Sequence, residues 1–438
     1  MQWSRYNLLF ESQNNGWLLY NSGSNTFAQF EEDAAGFVKQ IEENPGLDFS
    51  DNPGLYFTLR QGGFLVEDGK DDDLYRILKM RRLSLNYLGN QMVLTIALTR
   101  DCNFNCPYCF QSDKHALRMS DKTEENLANF IEEHKAVDTI AVVWYGGEPL
   151  LEFDKIKSIT NKITAIGRKY SASMITNGYL LTPEKINCLN DLQITYITIT
   201  LDGMKETHDS RRTLKDGSGT FDKIVENIDS LMQSDYSGDV SIRVNIDETN
   251  ADDFLKVYKF IENRYPEQFL SKKIGIYPCP IADVQQNFDV SACANYEFMG
   301  NFFTKFASEQ GFNSTLTLYP KMNLEGCCLT RKNHYVVGPS GELYKCYLDI
   351  GKESEIVGNV ANMNEWNVSL IAEGMVGATY LDDINCQGCF FFPICDGGCH
   401  KIRIYNNRDN GGRDTCTFFR DNIKEMLEYR YEQKMKGA

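Results

Sequence analysis

Residues 102–109 read CNFNCPYC, which sets Cys102, Cys106 and Cys109 four and then three positions apart. A cube of four irons and four sulfides takes four cysteine thiolates. Three thiolates leave one iron open, as three protein ligands at a catalytic zinc leave a position for chemistry. A zinc site completed by a distant residue is the alternative this spacing leaves standing. Short motifs recur further along. WYGGEP holds Gly146, Gly147 and Glu148; two glycines let backbone approach a ligand closely, and Glu148 offers an acceptor to an amine. ITNGYLL places Thr176 and Asn177 at a strand end, and TLDGMKETHDSRR carries Thr200, Asp202 and Arg212, suited to hydroxyls and a carboxylate. Each motif is weak alone. Their recurrence after successive strands, facing one site, makes them specific.

With these residues the chain resembles the radical S-adenosylmethionine (SAM) enzymes, whose shared pattern is CxxxCxxC with an aromatic before the last cysteine, here Tyr108, and a GGEP-like turn. The resemblance implies that the amino and carboxylate groups of SAM occupy the open iron. One electron then cleaves SAM to methionine and a 5′-deoxyadenosyl radical that abstracts hydrogen from an unactivated C–H bond, the cofactor supplying the reactivity and the protein the positioning. It also implies that Tyr108 flanks the adenine and Glu148 holds the SAM amine, with Thr176, Thr200 and Arg212 as candidates for the ribose and carboxylate, and a flavodoxin- or ferredoxin-like one-electron reductant as partner.

A second group of cysteines lies near the carboxyl end. Twelve residues separate Cys328 from Gly341 and four separate Gly341 from Cys346; CQGCFFFPICDGGC then supplies Cys386, Cys389, Cys395 and Cys399, and Cys416 follows after sixteen more. Paired CxxC cysteines often serve zinc, but seven ordered cysteines exceed one zinc site. The spacing resembles the SPASM extension of radical SAM enzymes, which carries two auxiliary four-iron clusters, for three in all. By that resemblance Cys386, Cys389, Cys395 and Cys416 bind one, and Cys328, Cys346 and Cys399 the other. The fourth ligand there is Cys327, Cys279 or a substrate thiolate. Cys188 and Cys293 sit among apolar helical positions and are expected in the core. Phe390–Phe392 are expected to shield a cluster, and His208 to have a structural role.

These residues need elements to hold them. From about Gln91 to Gln310, strand candidates Met92–Leu98, Thr139–Trp144, Ser171–Thr176, Tyr196–Leu201, Val240–Asn245 and Lys273–Tyr277 alternate with amphipathic stretches such as TFDKIVENIDSLMQS. Such units demand a parallel sheet with right-handed crossovers, and six strands are too few for a closed eight-stranded barrel. The expected class is α/β, a partial (β/α)6 barrel with ligands beyond the carboxyl ends of the strands. Residues 1–88 read as a small antiparallel meander, RYNLLFES, GWLLYNS and TFAQF, then helices including the acid-capped DDDLYRILKMRRLSLNY, a winged-helix-like domain. Residues 89–310 form the barrel domain. Residues 311–438 are Cys- and Gly-rich, and ligation rather than an apolar core is expected to hold them.

The three-part layout resembles radical SAM enzymes that mature ribosomal peptides, whose amino-terminal element captures the precursor's leader. A leader would add a strand to an exposed edge, for which TFAQF is the candidate; a purely structural cap is the alternative. The expected reaction is an intramolecular crosslink, thioether, C–C or C–O, on a precursor peptide. The rival family is the anaerobic sulfatase-maturing enzymes, which oxidise Cys or Ser to formylglycine and typically place Asp directly after the cysteine of G-x4-C. Here that position is Tyr347, with Asp349 two further on, and both are candidates near the substrate. A third class, a non-catalytic cluster scaffold, conflicts with the intact SAM constellation. A net charge of −16 disfavours nucleic acid and anionic membranes, and no stretch approaches the ~18 apolar residues of a span. The opening MQWSRYNLLFES lacks a signal-peptide layout. Cytoplasmic residence with reduced thiols, 14 of them, is therefore expected.

Overall fold

The computed structural model describes residues 1–50, 52–111, 116–281, 296–310, 326–417 and 420–436. The chain packs into two units: Met1–Tyr87 with Tyr296–Thr330 and Val376–Ala438, and Leu88–Asn295 with Arg331–Met375.

In the first unit lie strands β1 (Gln2–Trp3), β2 (Asn7–Glu11), β3 (Trp17–Asn21), β4 (Thr26–Phe30) and β5 (Leu65–Val66), with two helices between β4 and β5. β2, β3 and β4 form an antiparallel meander with β4 at one edge, and β1 pairs with β5. Side chains alternate across the meander. Leu19 and Phe30 face Ala35, Val38 and Ile41 of helix Glu32–Glu43 and Leu59 of helix Pro53–Gln61. Phe10, Leu18 and Tyr20 face Ile423, Leu427 and Tyr431 of helix Ile423–Lys436. The sheet is thus covered on both faces. Helix Lys70–Asn86 opens with three aspartates, of which buried Asp71 accepts from Ser4 Oγ at 3.0 Å and Arg5 N at 2.7 Å, tying the helix to the amino-terminal segment. Its Leu78 packs with Tyr6, Tyr380, Leu381 and Phe392.

Those contacts correct the expectation that ligation holds the Cys-rich region. Phe390 and Phe391 join the core under the meander, and Phe392 joins the one beside helix Lys70–Asn86. Their partners are far away in sequence, so no local periodicity marks them.

In the second unit β6 (Gln91–Ala97), β7 (Thr139–Tyr145), β8 (Lys169–Thr176), β9 (Ile194–Thr200), β10 (Asp239–Ile246) and β11 (Ile274–Pro280) are parallel, and their spatial order is their chain order. The central sheet of this α/β chain is thus the parallel one expected, its six strands ending within three residues of the expected bounds. Apolar residues fill one face: Ile140, Val142 and Trp144 on β7, and Val240, Ile242 and Val244 on β10. The period of two sends Tyr145, Thr200, Arg243, Asn245, Tyr277 and Cys279 to the other face, at the carboxyl ends.

Three more strands extend this sheet. β12 (His334–Val337) runs parallel to β6, β13 (Glu342–Tyr344) antiparallel to β12, and β14 (Gly358–Asn359) antiparallel to β13. With β11 and β14 at its edges the sheet stays open. Among the described residues no helix is long and apolar enough to cross a membrane. Cys188 departs from its expected core position: it is half-exposed and donates to the Glu184 carbonyl at 3.4 Å, while Ile186 and Leu189 fill the core beside it. Cys293 lies outside the described residues.

Candidate active site at the carboxyl ends of the parallel strands

The turn bearing Cys102, Cys106 and Cys109 follows β6. Each is partly buried. Phe104 N donates to Cys102 Sγ at 3.4 Å, and Asn177 Nδ2 lies 3.9 Å from the same sulfur and donates to Asn103 Oδ1 at 2.8 Å. The two glycines after β7 seat this turn. Gly146 has φ +126°, and a Cβ on Gly147 would stand 2.0 Å from the Asp101 carbonyl oxygen. Gly147 N donates to Thr99 O and Glu148 N to Asp101 O, each at 3.0 Å. The glycines therefore admit the neighbouring backbone that leads into Cys102.

Glu148 is fully buried. Its Oε1 accepts from Leu150 N at 3.0 Å and Thr176 Oγ1 at 2.7 Å, and its Oε2 from Asn177 N at 2.8 Å. Burial pushes its pKa up and these donors press it back. The carboxylate thus braces the ends of β7 and β8 and fixes Asn177 against the cysteine turn.

A second network joins Tyr108, Asp202, Arg212 and Asn245. Tyr108 donates to Asp202 Oδ2, and Arg212 Nη1 donates to the Tyr108 hydroxyl at 2.7 Å. Asn245 donates to Asp202 Oδ1 through both its backbone and side-chain nitrogens, each at 3.1 Å. Burial pushes the Tyr108 phenol well above its usual range; the Arg212 charge opposes this and the Asp202 charge adds to it. Arg212 is buried, no described carboxylate lies within ion-pair distance, and its Nε has no acceptor among the described residues. The adjacent Arg211 is matched instead, its Nη2 2.9 Å from Asp247. Thr200 joins neither network among the described residues.

His208 is fully buried. Its Nδ1 accepts from Asp202 N at 3.2 Å. Thr220 Oγ1 donates to Arg212 O at 2.6 Å, so it accepts from His208 Nε2–H at 3.0 Å. That sets a neutral Nε2–H tautomer. Burial and then Arg212 hold its pKa well below the imidazole range.

Tyr347 and Asp349 lie in the single turn after Cys346. The Tyr347 ring stands 5.9 Å from Tyr145 and 6.0 Å from Phe110, and Asp349 is buried. Arg243 Nε donates to Asn245 Oδ1 at 2.8 Å. Sequence reasoning passed over Asn245 and Arg243; a polar Arg-x-Asn in a buried parallel strand was the available signal.

In the first unit, helix Ile384–Gln387 presents Cys386 and is capped by Asp383, which accepts from Asn385 N at 2.9 Å. Arg403 bridges Asp383 at 3.0 Å and Cys386 Sγ at 3.6 Å. Phe391 N donates to Cys389 Sγ at 3.4 Å and Gly397 N to Cys395 Sγ at 3.2 Å. Gly398, at φ +68°, packs where a Cβ would be 2.1 Å from the Thr415 carbonyl oxygen. Cys416 comes next in the chain. The Cys395 thiol is pushed up to about 11 by burial, opposed by the Gly397 N–H and reinforced by Asp396, Cys386 and Cys389, and Cys416 acts likewise on Cys389. Cys327 is held below the thiol range by hydrogen bonding with Cys328 and, against its burial, with His400.

This set of cysteines, with N–H groups on the sulfurs of Cys102, Cys386, Cys389 and Cys395, fits iron–sulfur clusters. Among the described residues no three His, Cys, Asp or Glu side chains gather as a single ion requires, whereas a cube binds each thiolate on a separate iron.

The model of the Radical SAM superfamily matches residues 96–261, a radical SAM domain that contains the cysteine turn after β6 and strands β7 to β10. The chain is 24% identical over 363 residues to the cysteine-type anaerobic sulfatase-maturating enzyme of Clostridium novyi, covering 74% of this chain and 93% of that enzyme. It is 23% identical over 421 residues to the radical SAM cyclopropyl synthase TigE of Paramaledivibacter caminithermalis, covering 87% and 84%. Among solved structures, anSMEcpe with bound AdoMet superposes with a TM-score of 0.58 at 20% identity over 78% of this chain and 98% of its own. Streptococcus suis SuiB bound to precursor peptide SuiA gives 0.53 at 13% identity over 95% and 98%. At these identities the solved structures share the fold.

Proposed function

We propose that the chain is a radical SAM enzyme that forms an intramolecular crosslink in a ribosomally synthesised precursor peptide. Cys102, Cys106 and Cys109 would hold the cluster that binds SAM, and the bound pair would supply one-electron chemistry leading to hydrogen abstraction from carbon. Arg212 supports the placement of the SAM carboxylate: it is a buried guanidinium with an unused N–H beside Tyr108. Since Glu148 already serves three protein donors, its contribution to the amine subsite is to fix the loop as well as to supply charge. Cys386, Cys389, Cys395 and Cys416 would hold one auxiliary cluster. Cys328, Cys346 and Cys399, with Cys327 or Cys279 as the open choice, would hold the other. A flavodoxin- or ferredoxin-like protein would deliver electrons, and residues 1–88 would bind the leader along β4.

The observation that carries the peptide reading is coverage. The fold of SuiB, solved with a precursor peptide, extends over 95% of this chain, whereas anSMEcpe stops at 78%. The sulfatase-maturing reading draws on the Clostridium novyi relative, and Tyr347, where that family typically has Asp, weighs against it. The test is competition. A leader-only peptide added in trans should raise KM for the full precursor and leave kcat unchanged. Absence of competition rejects leader capture, and formylglycine formed on a sulfatase peptide establishes the rival.

A further inference from the structure

Helix His400–Asp409 begins directly after Cys399 and carries Arg403 in its first turn. The Arg403 guanidinium ties three points of the cysteine loop together. Its Nε donates to the Gly397 carbonyl at 2.9 Å, Nη1 to Asp383 Oδ2 at 3.0 Å and Nη2 to Cys386 Sγ at 3.6 Å. Gly397 in turn donates its N–H to Cys395 Sγ at 3.2 Å. Arg403 therefore reaches two of the four cysteines assigned to one auxiliary cluster, Cys386 directly and Cys395 through one peptide unit. The donor on Cys389 Sγ, Phe391 N at 3.4 Å, is neutral backbone. Only 12% of the Arg403 side chain is exposed, so solvent screens its charge little.

A structural clamp needs only the carbonyl and the carboxylate, and the bond to sulfur adds an electrostatic effect. Reduction of a four-iron cluster adds one negative charge, which its ligand sulfurs share. A cation bonded to one of those sulfurs favours the reduced form, and a carboxylate paired with that cation opposes it. Asp383 and Cys386 thus compete for one guanidinium. Arg420 also reaches Cys416, but it is 43% exposed and pairs with Asp414 and Asp421, each at 3.0 Å. Its charge is better screened and divided between two carboxylates.

We propose that Arg403 is a positioning residue that sets the reduction potential of the cluster held by Cys386, Cys389, Cys395 and Cys416, with Asp383 as the opposing charge. The inference rests on the assignment of those four cysteines to one four-iron cluster. The couple is a one-electron reduction of the cluster by an external reductant, and neither Arg403 nor Asp383 gains or loses an electron or a proton. Their balance governs how readily that electron stays on the cluster.

The test is an anaerobic potentiometric titration of the reconstituted full chain with dithionite, followed by electron paramagnetic resonance. The signal of this cluster is the one missing from Cys395→Ala. At a fixed potential Arg403→Gln should lower the ratio of reduced to oxidised cluster about 3- to 30-fold, the range of one charge-assisted hydrogen bond. Arg403→Lys should keep part of the wild-type ratio. Asp383→Asn, which retains a helix-capping side chain, should raise it. Arg420→Gln should change it less than Arg403→Gln does, and a larger change overturns the proposal. Opposite signs for the two partners of one ion pair distinguish tuning from a clamp, because breaking a clamp from either side disturbs the loop alike. Coincident titrations of the wild type, Arg403→Gln and Asp383→Asn at full iron content overturn the proposal and leave the cluster assignment standing, as does a shift of the same sign in both variants. If Arg403→Gln retains no iron at these cysteines, Asp383→Asn decides alone, and an unchanged or lowered ratio overturns the proposal. A wild-type chain with only about four irons overturns the assignment and the proposal together.

Discussion

Arg212 donates to the Tyr108 hydroxyl at 2.7 Å while its neighbour Arg211 turns to Asp247. Two consecutive guanidiniums at the end of one short helix thus differ: one is ion-paired to a protein carboxylate, and the other is buried with no described carboxylate within ion-pair distance.

Arg212→Gln should weaken SAM binding about 10- to 100-fold, the value of a charge-assisted hydrogen bond, with Arg212→Lys recovering part. Anaerobic equilibrium dialysis reads this directly. Arg211→Gln should act mainly on stability, by about 1–3 kcal/mol, since Asp247 loses its cation but keeps the Thr249 N–H and hydroxyl. A larger loss of SAM affinity for Arg211→Gln than for Arg212→Gln would contradict the assignment.

Gly147→Ala places a methyl 2.0 Å from the Asp101 carbonyl oxygen, where backbone must move. Unfolding free energy should drop by about 1–3 kcal/mol, and iron at the first cluster should fall with it. Gly412→Ala, which meets nothing within 4 Å, is the matched control. Urea titration and iron analysis measure both.

The buried histidines give the stability a defined acid limb. His208 is held well below its unfolded pKa of about 6.5 by burial and Arg212, and His334 is pushed down to about 3 by burial, then Lys345 and Arg331. Below about pH 6.5 the unfolded chain binds protons that the folded chain refuses. Stability is therefore complete above that pH and falls as the pH drops, by up to about 1.4 kcal/mol per pH unit for each such histidine. His208→Gln should remove one histidine's share of the slope. Urea midpoints from about pH 8 to about pH 5 give the comparison, and an unchanged slope counts against a neutral His208.

Anaerobic reconstitution should load about twelve irons, and Cys386→Ala or Cys395→Ala should each cost about four. Iron analysis with Mössbauer spectroscopy reads the number and type of clusters. A wild-type value near four refutes the auxiliary assignment.

The parallel strands were legible because each is a buried apolar run between amphipathic helices, and the cysteines because their spacing is rigid. β12 and β13 escaped since HYVVGPSGELY drew notice only as the interval containing Gly341, although its alternation around a Gly-Pro-Ser-Gly turn is a hairpin signal. The roles of Gly146 and Gly147 were read as ligand approach, whereas the contact they permit is with backbone from an earlier strand, which no local pattern discloses. Arg243 was hidden for the opposite reason: one cation in an apolar strand breaks the expected pattern and was passed over.

The meander of β2, β3 and β4 is closed on one side by residues that follow directly and on the other by Ile423, Leu427 and Tyr431. The two halves of this core are therefore far apart in the chain. During synthesis Phe10, Leu18 and Tyr20 stay uncovered until helix Ile423–Lys436 has been made, so this core closes as a late event. Shortening the chain from either end exposes the same apolar surface, so loss of the last helix and loss of the first strands should produce one shared defect, aggregation of the first unit.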